Sequence, residues 1–226
     1  MAALSTTPFG QAWLAQFAGA EQDVARRLID EIMLVSRDDL QRGLRQLIER
    51  VLDTRSDPDR PAALYSERKV AKNKTGVLPL FPGAEHGRAT GPGVPPIIVD
   101  DDQEVGSEGV IANLITDVCR SRRNDALSHP GPDTMRERKA GPIVIVADFI
   151  GSGDRIWRML EAFRKVATLR SWRSLHLIEF VVVAYSGTEM GVARVKESKL
   201  KPTILMVTGA PTLWDAFRGA ELIAVR

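Results

Sequence analysis

Residues 143 to 160, IVIVADFIGSGDRIWRML, hold the side chains best placed to do chemistry. An apolar run ends in an acid, Asp148, and a Gly-Ser-Gly turn (Gly151, Ser152, Gly153) leads into a helical pattern. In an open α/β sheet, ligands bind at the carboxyl ends of the strands. The N–H groups of such a turn, with the positive end of the following helix, favour an anion. Glycines at 151 and 153 let a phosphate approach the backbone, and Ser152 adds a hydroxyl. Asp148 would repel a bare phosphate but can accept hydrogen bonds from two ribose hydroxyls. Asp154 brings a negative charge to the same loop, which Arg155 can offset. Acid and turn together describe a sugar-phosphate pocket, and a ligand-free glycine turn is the alternative that the residues leave open. Other phosphate and nucleophile motifs fail on spacing. A G-x-G-x-x-G fingerprint needs glycine at Ile156, a G-x-S-x-G elbow needs glycine at Ile150, and G-x-x-x-x-G-K-[ST] is absent.

The elements around this stretch read as α/β. Residues 8 to 53 are helical in pattern, with Val24, Leu28, Ile32 and Val35 on one face and Leu40, Leu44, Leu47, Ile48 and Val51 on another. Residues 54 to 96 are rich in Pro, Gly and charge and read as a connector with one short strand, AALYSE. A connector of that length is usually functional or mobile. PIIVDDD (residues 96–102) predicts a strand, with its core at 97–101. A helix follows, with Ser107 as N-cap and Val110, Ile111, Leu114, Ile115 and Val118 on its buried face. A polar segment over 120–140 precedes the strand at 143–147. Further apolar runs, LIEFVVVAYS and TILMVTG, flank a short helix around TEMGVARVKES. Tyr185, Ser186 and Gly187, at the end of the first run, either line the crevice or only make a turn. Strands alternating with helices predict a mostly parallel sheet covered on both faces. The expected organisation is a helical segment over 1–55 and an α/β domain over 56–226. The ending DAFRGAELIAVR offers no terminating strand, so that domain is expected to be incomplete at its C-terminus.

Composition narrows the function classes. A net charge of +2 gives no case for a nucleic-acid binder. The single cysteine, Cys119, excludes an internal disulfide framework and a cysteine metal cluster. His86, His129 and His176 lack ligand spacing, and no metal-binding residue is predicted. No apolar run reaches the roughly 20 residues of a membrane span. MAALSTTPFGQAW has no basic start followed by an apolar core, so a cytoplasmic location is expected.

IVIVADFIGSGDR resembles the phosphoribosyl-diphosphate motif of type I phosphoribosyltransferases. Asp148 matches the motif's second acid, Phe149 and Ile150 its apolar pair, and Gly151, Ser152 and Gly153 its phosphate turn. Ala147 stands in place of the first acid, and Asp154 and Arg155 replace the small residues that close the usual loop. With AWLAQF, ALYSER and GSEGVIANLI, the chain is similar to phosphoribosyltransferase-like domains of bacterial conflict and phage-defence systems, whose members tend to continue further. The resemblance implies a type I phosphoribosyltransferase-like fold with an N-terminal helical subdomain. Its implied ligand is ribose 5-phosphate in character, a phosphoribosyl diphosphate or a nucleotide, with Mg²⁺ as cofactor and chemistry at the ribosyl C1. It makes Asp148 the catalytic and ribose-binding acid and places residues 151–155 on the 5-phosphate. Gly106, Ser107 and Glu108 fall where the diphosphate loop lies, across one crevice from the turn. There Glu108 serves either Mg²⁺ through water or the helix dipole. Segment 120–140 takes the place of a mobile flap, and partner proteins of a defence system are implied. The alternative is a non-catalytic nucleotide-sensing module using the same pocket.

Overall fold

The protein is described from a computed structural model, which covers residues 3–81 and 107–217. In chain order the helices are α1 (Pro8–Leu14), α2 (Ala20–Asp30), α3 (Arg37–Thr54), α4 (Ser107–Ser121), α5 (Pro132–Glu137), α6 (Asp154–Arg164), α7 (Ala167–Ser174), α8 (Glu189–Lys196) and α9 (Leu213–Ala216). The strands are β1 (Ala62–Ser66), β2 (Lys72–Asn73), β3 (Gly76–Val77), β4 (Ala126–Ser128), β5 (Ile143–Ile150), β6 (Phe180–Gly187) and β7 (Thr203–Gly209).

The chain divides into two compact units, Met1–Ser36 with Ala210–Arg226, and Arg37–Gly209. In the first, Leu14, Ala25 and Ile29 form a small core. Asp30 ties the chain start to α2 by accepting from both the N–H and the Oγ of Ser5, each at 2.8 Å.

The second unit is a parallel five-stranded sheet in the order β4-β1-β5-β6-β7 with helices on both faces. Side chains alternate across a strand, and the two cores follow that period. Ala62, Leu64, Val144, Val146, Val181 and Val183 face Leu44, Ile48 and Val51 of α3 and Ile111, Leu114 and Ile115 of α4. Ala63, Tyr65, Ile143, Ile145, Ala147, Val182 and Ala184 face Ile156, Leu160 and Phe163 of α6, Leu169 of α7 and Val195 of α8. Near-continuous Val/Ile/Ala strands are what burial on both faces requires.

Two expectations change in position. AALYSE is no isolated strand in a connector: β1 lies between β4 and β5, and its five residues are all buried. The segment expected as a flap contains β4 and α5. It is anchored by the Tyr65 hydroxyl on the Pro130 carbonyl and by Met135, 1% exposed, in the core. The strand expected over 97–101 lies outside the described residues. The two neighbours of β5 are β1 and β6.

Candidate functional site

β5 delivers Asp148 to the carboxyl edge of the sheet, and the turn after it is clamped from one side. The N–H of Thr188 donates to the Ile150 carbonyl at 2.9 Å and the Thr188 Oγ1 to the Gly151 carbonyl at 2.6 Å. Thr188 also N-caps α8 by accepting from the Gly191 N–H at 2.9 Å. Gly191 and Gly153 are needed for this contact. A Cβ at Gly191 would stand under 3.0 Å from the carbonyl oxygens of Gly151 and Ile150, and a Cβ at Gly153 would meet the Gly191 carbonyl as closely. Gly153 also has φ +77, where a side chain is strained.

The carbonyls of Ile150 and Gly151 are therefore engaged, whereas among the described residues most amides of the turn have no protein acceptor. Gly153 precedes α6, and a helix start leaves its first N–H groups without intrahelical partners. The Asp154 N–H reaches Ser152 Oγ at 3.3 Å. Among the described residues, no protein acceptor is bonded to the N–H groups of Ser152, Gly153, Arg155 or Ile156. These groups border a cleft of about 330 Å³ lined by Glu67, Asp148–Gly153, Arg155 and Ile156. Tyr185, Ser186 and Gly187 are not part of that lining. Two cavities of about 190 and 400 Å³ have different walls, around Gly141, Pro142 and Glu179 and around Met135 and Trp172, away from the turn.

The charges sort into two groups. Asp154 turns toward α8, where Arg194 Nε stands 3.1 Å from its Oδ1, and Arg194 also stacks 4.1 Å over the Trp157 ring. Arg155 points the other way, 3.4 Å from Glu67 Oε2 and 3.4 Å from Glu108 Oε1. Asp148 accepts the Phe149 N–H on Oδ1 at 2.8 Å. The glutamate, missed in the sequence, directly follows β1 and is 6% exposed, and its Oε1 is buried without a partner. Burial pushes the Glu67 carboxyl up to about 7. Glu108 and Asp148 raise it too, and Arg155 works against them.

A second missed group holds the end of β1. The Ser66 N–H donates to His129 Nε2 at 3.0 Å, so that nitrogen accepts and the ring proton sits on Nδ1, 3.0 Å from Ser128 Oγ. Burial lowers the His129 pKa to about 4, with help from Arg68, which donates to Ser66 Oγ at 3.1 Å. His129 takes φ 47, the left-handed region, in the turn that leaves β4.

The structure thus gathers Asp148, Gly151, Ser152, Gly153 and Arg155 around one cleft, turns Asp154 to α8, and brings Glu108 to Arg155 at the start of α4. Gly106 lies outside the described residues, and Ser107 begins α4. Ala147, in the place of the first motif acid, is fully buried beneath α6 to α8. Among the described residues, no three His, Cys, Asp or Glu side chains are gathered to hold a metal ion. Mg²⁺ commonly takes one or two carboxylates with substrate phosphates and water, and the carboxylates of Asp148 and Glu108 are of the kind that could serve it. No described helix is long and apolar enough to cross a membrane.

A parallel five-stranded sheet flanked by helices, with an acid and a Gly-Ser-Gly turn at the carboxyl end of a central strand, is a phosphoribosyltransferase-like α/β fold. The chain belongs to the PRTase-CE family, a phosphoribosyltransferase-like domain whose profile matches residues 11–212. No curated protein gives a significant match.

Proposed function

We propose that the cleft binds a ribose 5-phosphate ligand, a phosphoribosyl diphosphate or a nucleotide, and acts at the ribosyl C1. One observation carries this reading. The uncommitted amides at the start of α6 and the Asp148 carboxylate border the same cleft, so a phosphate and a sugar diol have complementary partners side by side. In the reaction the bond from C1 to the leaving oxygen breaks, and its electron pair departs with the diphosphate. A protic nucleophile, a base nitrogen or water, forms the new bond and releases its proton. The sugar carries positive charge on the way, which a nearby carboxylate stabilises. Gly106, Ser107 and Glu108 are proposed to hold the diphosphate, and Mg²⁺, where bound, would offset its negative charge. The resemblance to bacterial conflict and phage-defence domains supports a defence effector working with partner proteins.

Thermal shift tests the ligand, using ribose 5-phosphate, phosphoribosyl diphosphate with and without Mg²⁺, and inorganic phosphate. A rise in Tm with the sugar phosphates exceeding that with phosphate is the expected result, and no rise with any of them ends the reading. Plaque counts on cells carrying the wild type or Asp148→Asn test the defence role. Equal counts for both remove it. One feature favours a second reading, a nucleotide sensor without turnover: Ala147 leaves the motif without its first acid. Binding of a nucleotide unchanged after long incubation selects the sensor, and release of diphosphate or base selects the enzyme.

A further inference from the structure

The geometry points to Glu67 as the proton-carrying group of the cleft, which takes up one proton from solvent as an anionic phosphate settles on the turn. This rests on the ligand reading above and adds a residue from a different strand. Glu67 lines the cleft, is 6% exposed, and has one oxygen closed off from solvent with no hydrogen-bond partner. A buried carboxylate oxygen without a donor is unfavourable, whereas a neutral carboxyl needs only one acceptor for its O–H.

The surroundings balance the site near neutrality. Arg155 of α6 faces Glu67 Oε2 at 3.4 Å, but it also serves Glu108 of α4 at 3.4 Å. Asp148 of β5 adds a further negative charge. From the β1–β4 side stand Arg68 and the neutral His129, both bonded to Ser66. Two carboxylates thus share one arginine with a third acid close by, and burial already holds the Glu67 carboxyl at about 7. A phosphate dianion placed against the amides of Ser152 and Gly153 adds like charge to that group and raises its proton affinity further. The balance is simple: the dianion and one solvent proton enter, Glu67 becomes neutral, and its O–H is then a donor for an oxygen of the ligand.

Calorimetry at pH 8 in two buffers of different ionisation enthalpy reads the uptake directly. At this pH phosphate esters are already fully ionised, because their second pKa is about 6. With ribose 5-phosphate as probe, wild type should take up close to one proton, about 0.9 for an apo pKa of 7. Affinity should fall up to about tenfold per pH unit between 7.5 and 8.5. Glu67→Gln should bind with no uptake and no slope there. Wild-type binding without uptake, or uptake that persists in Glu67→Gln, overturns the proposal and leaves the ligand reading intact. Uptake with inorganic phosphate alone, with no sugar phosphate bound, keeps the proton site and removes the ligand reading. If Glu67→Gln does not fold, carbon-detected titration of wild-type glutamates replaces it. One side chain with a midpoint near 7, moved upward in Arg155→Gln, supports the assignment, and every glutamate below about 5.5 refutes it.

Discussion

Gly191→Ala sets two effects of opposite sign against each other. Inside a helix alanine is better than glycine by at most about 1 kcal/mol, and Gly191 lies in α8 with an ordinary helical φ, so propensity alone predicts stabilisation. The added methyl, however, points at the carbonyl oxygens of Gly151 and Ile150, both under 3.0 Å away. These are backbone atoms held by Thr188 and cannot swing aside as a side-chain tip can. Overpacking of this kind costs about 1–3 kcal/mol, and rigid neighbours put it at the upper end. The net loss is then about 2 kcal/mol, a fall in Tm of about 4–8 °C for a chain of this size. Gly209→Ala is the internal control, because nothing lies within 4 Å of where its methyl would stand and φ is unremarkable. Thermal unfolding followed by circular dichroism reads both variants, and ribose 5-phosphate affinity reads the displaced turn. Gly191→Ala melting at or above the wild type, or shifting no further than Gly209→Ala, would refute the account of how the turn is held.

Gly153→Ala combines a strained φ of +77 with the same clash, so its Tm should fall further than that of Gly191→Ala; a smaller fall contradicts the left-handed requirement. Asp148→Asn should weaken ribose 5-phosphate binding about tenfold or more while leaving inorganic phosphate and Tm nearly unchanged; equal losses would make Asp148 a support for the loop. Glu67 has its folded pKa raised, so its contribution is full below the ordinary carboxyl value of 4.5 and is lost as pH rises through about 7. Glu67→Gln should therefore gain up to about 3 kcal/mol on the wild type between pH 4.5 and pH 8 in urea unfolding, and a constant difference would refute the shift. His129 is the reverse case, with a pKa lowered from 6.5 to about 4, so stability is lost as pH falls through that window. His129→Asn, tolerated at positive φ, should flatten that acid limb, and an unchanged limb would place the acid sensitivity elsewhere.

The parallel sheet was legible because β5, β6 and β7 are long apolar runs separated by helical periods. The turn was legible because acid, glycine and serine fall within a few residues. β1 was legible as a short strand but not as a central one, since five residues between Pro61 and a charged run carry too short a period to place it inside the sheet. Glu67 was hidden for a related reason. Its role comes from Asp148, Arg155 and Glu108, and nothing local in ALYSER distinguishes a buried glutamate from a solvated one. Gly191 reads in sequence as a weak point in a helix, and only the carbonyls of a distant turn make glycine necessary there. Segment 120–140 was polar enough to suggest a flap, yet a few apolar anchors, Met135 and Ala126 among them, suffice to pin it.

The clamp on the turn also sets an order of events during folding. Thr188 meets Gly151 across 37 residues and Arg155 meets Glu67 across 88, so neither contact can form until distant stretches of chain have been brought together. Closing such loops costs entropy before any contact repays it, which makes non-local assembly slow. A chain folded only through α6 would own the acid and the glycines but neither the α8 backing nor a settled cleft. Ligand-binding competence should therefore emerge late in refolding, after most helical signal has returned, and a ligand present from the start would trap the final docking of α8 rather than hasten the early collapse.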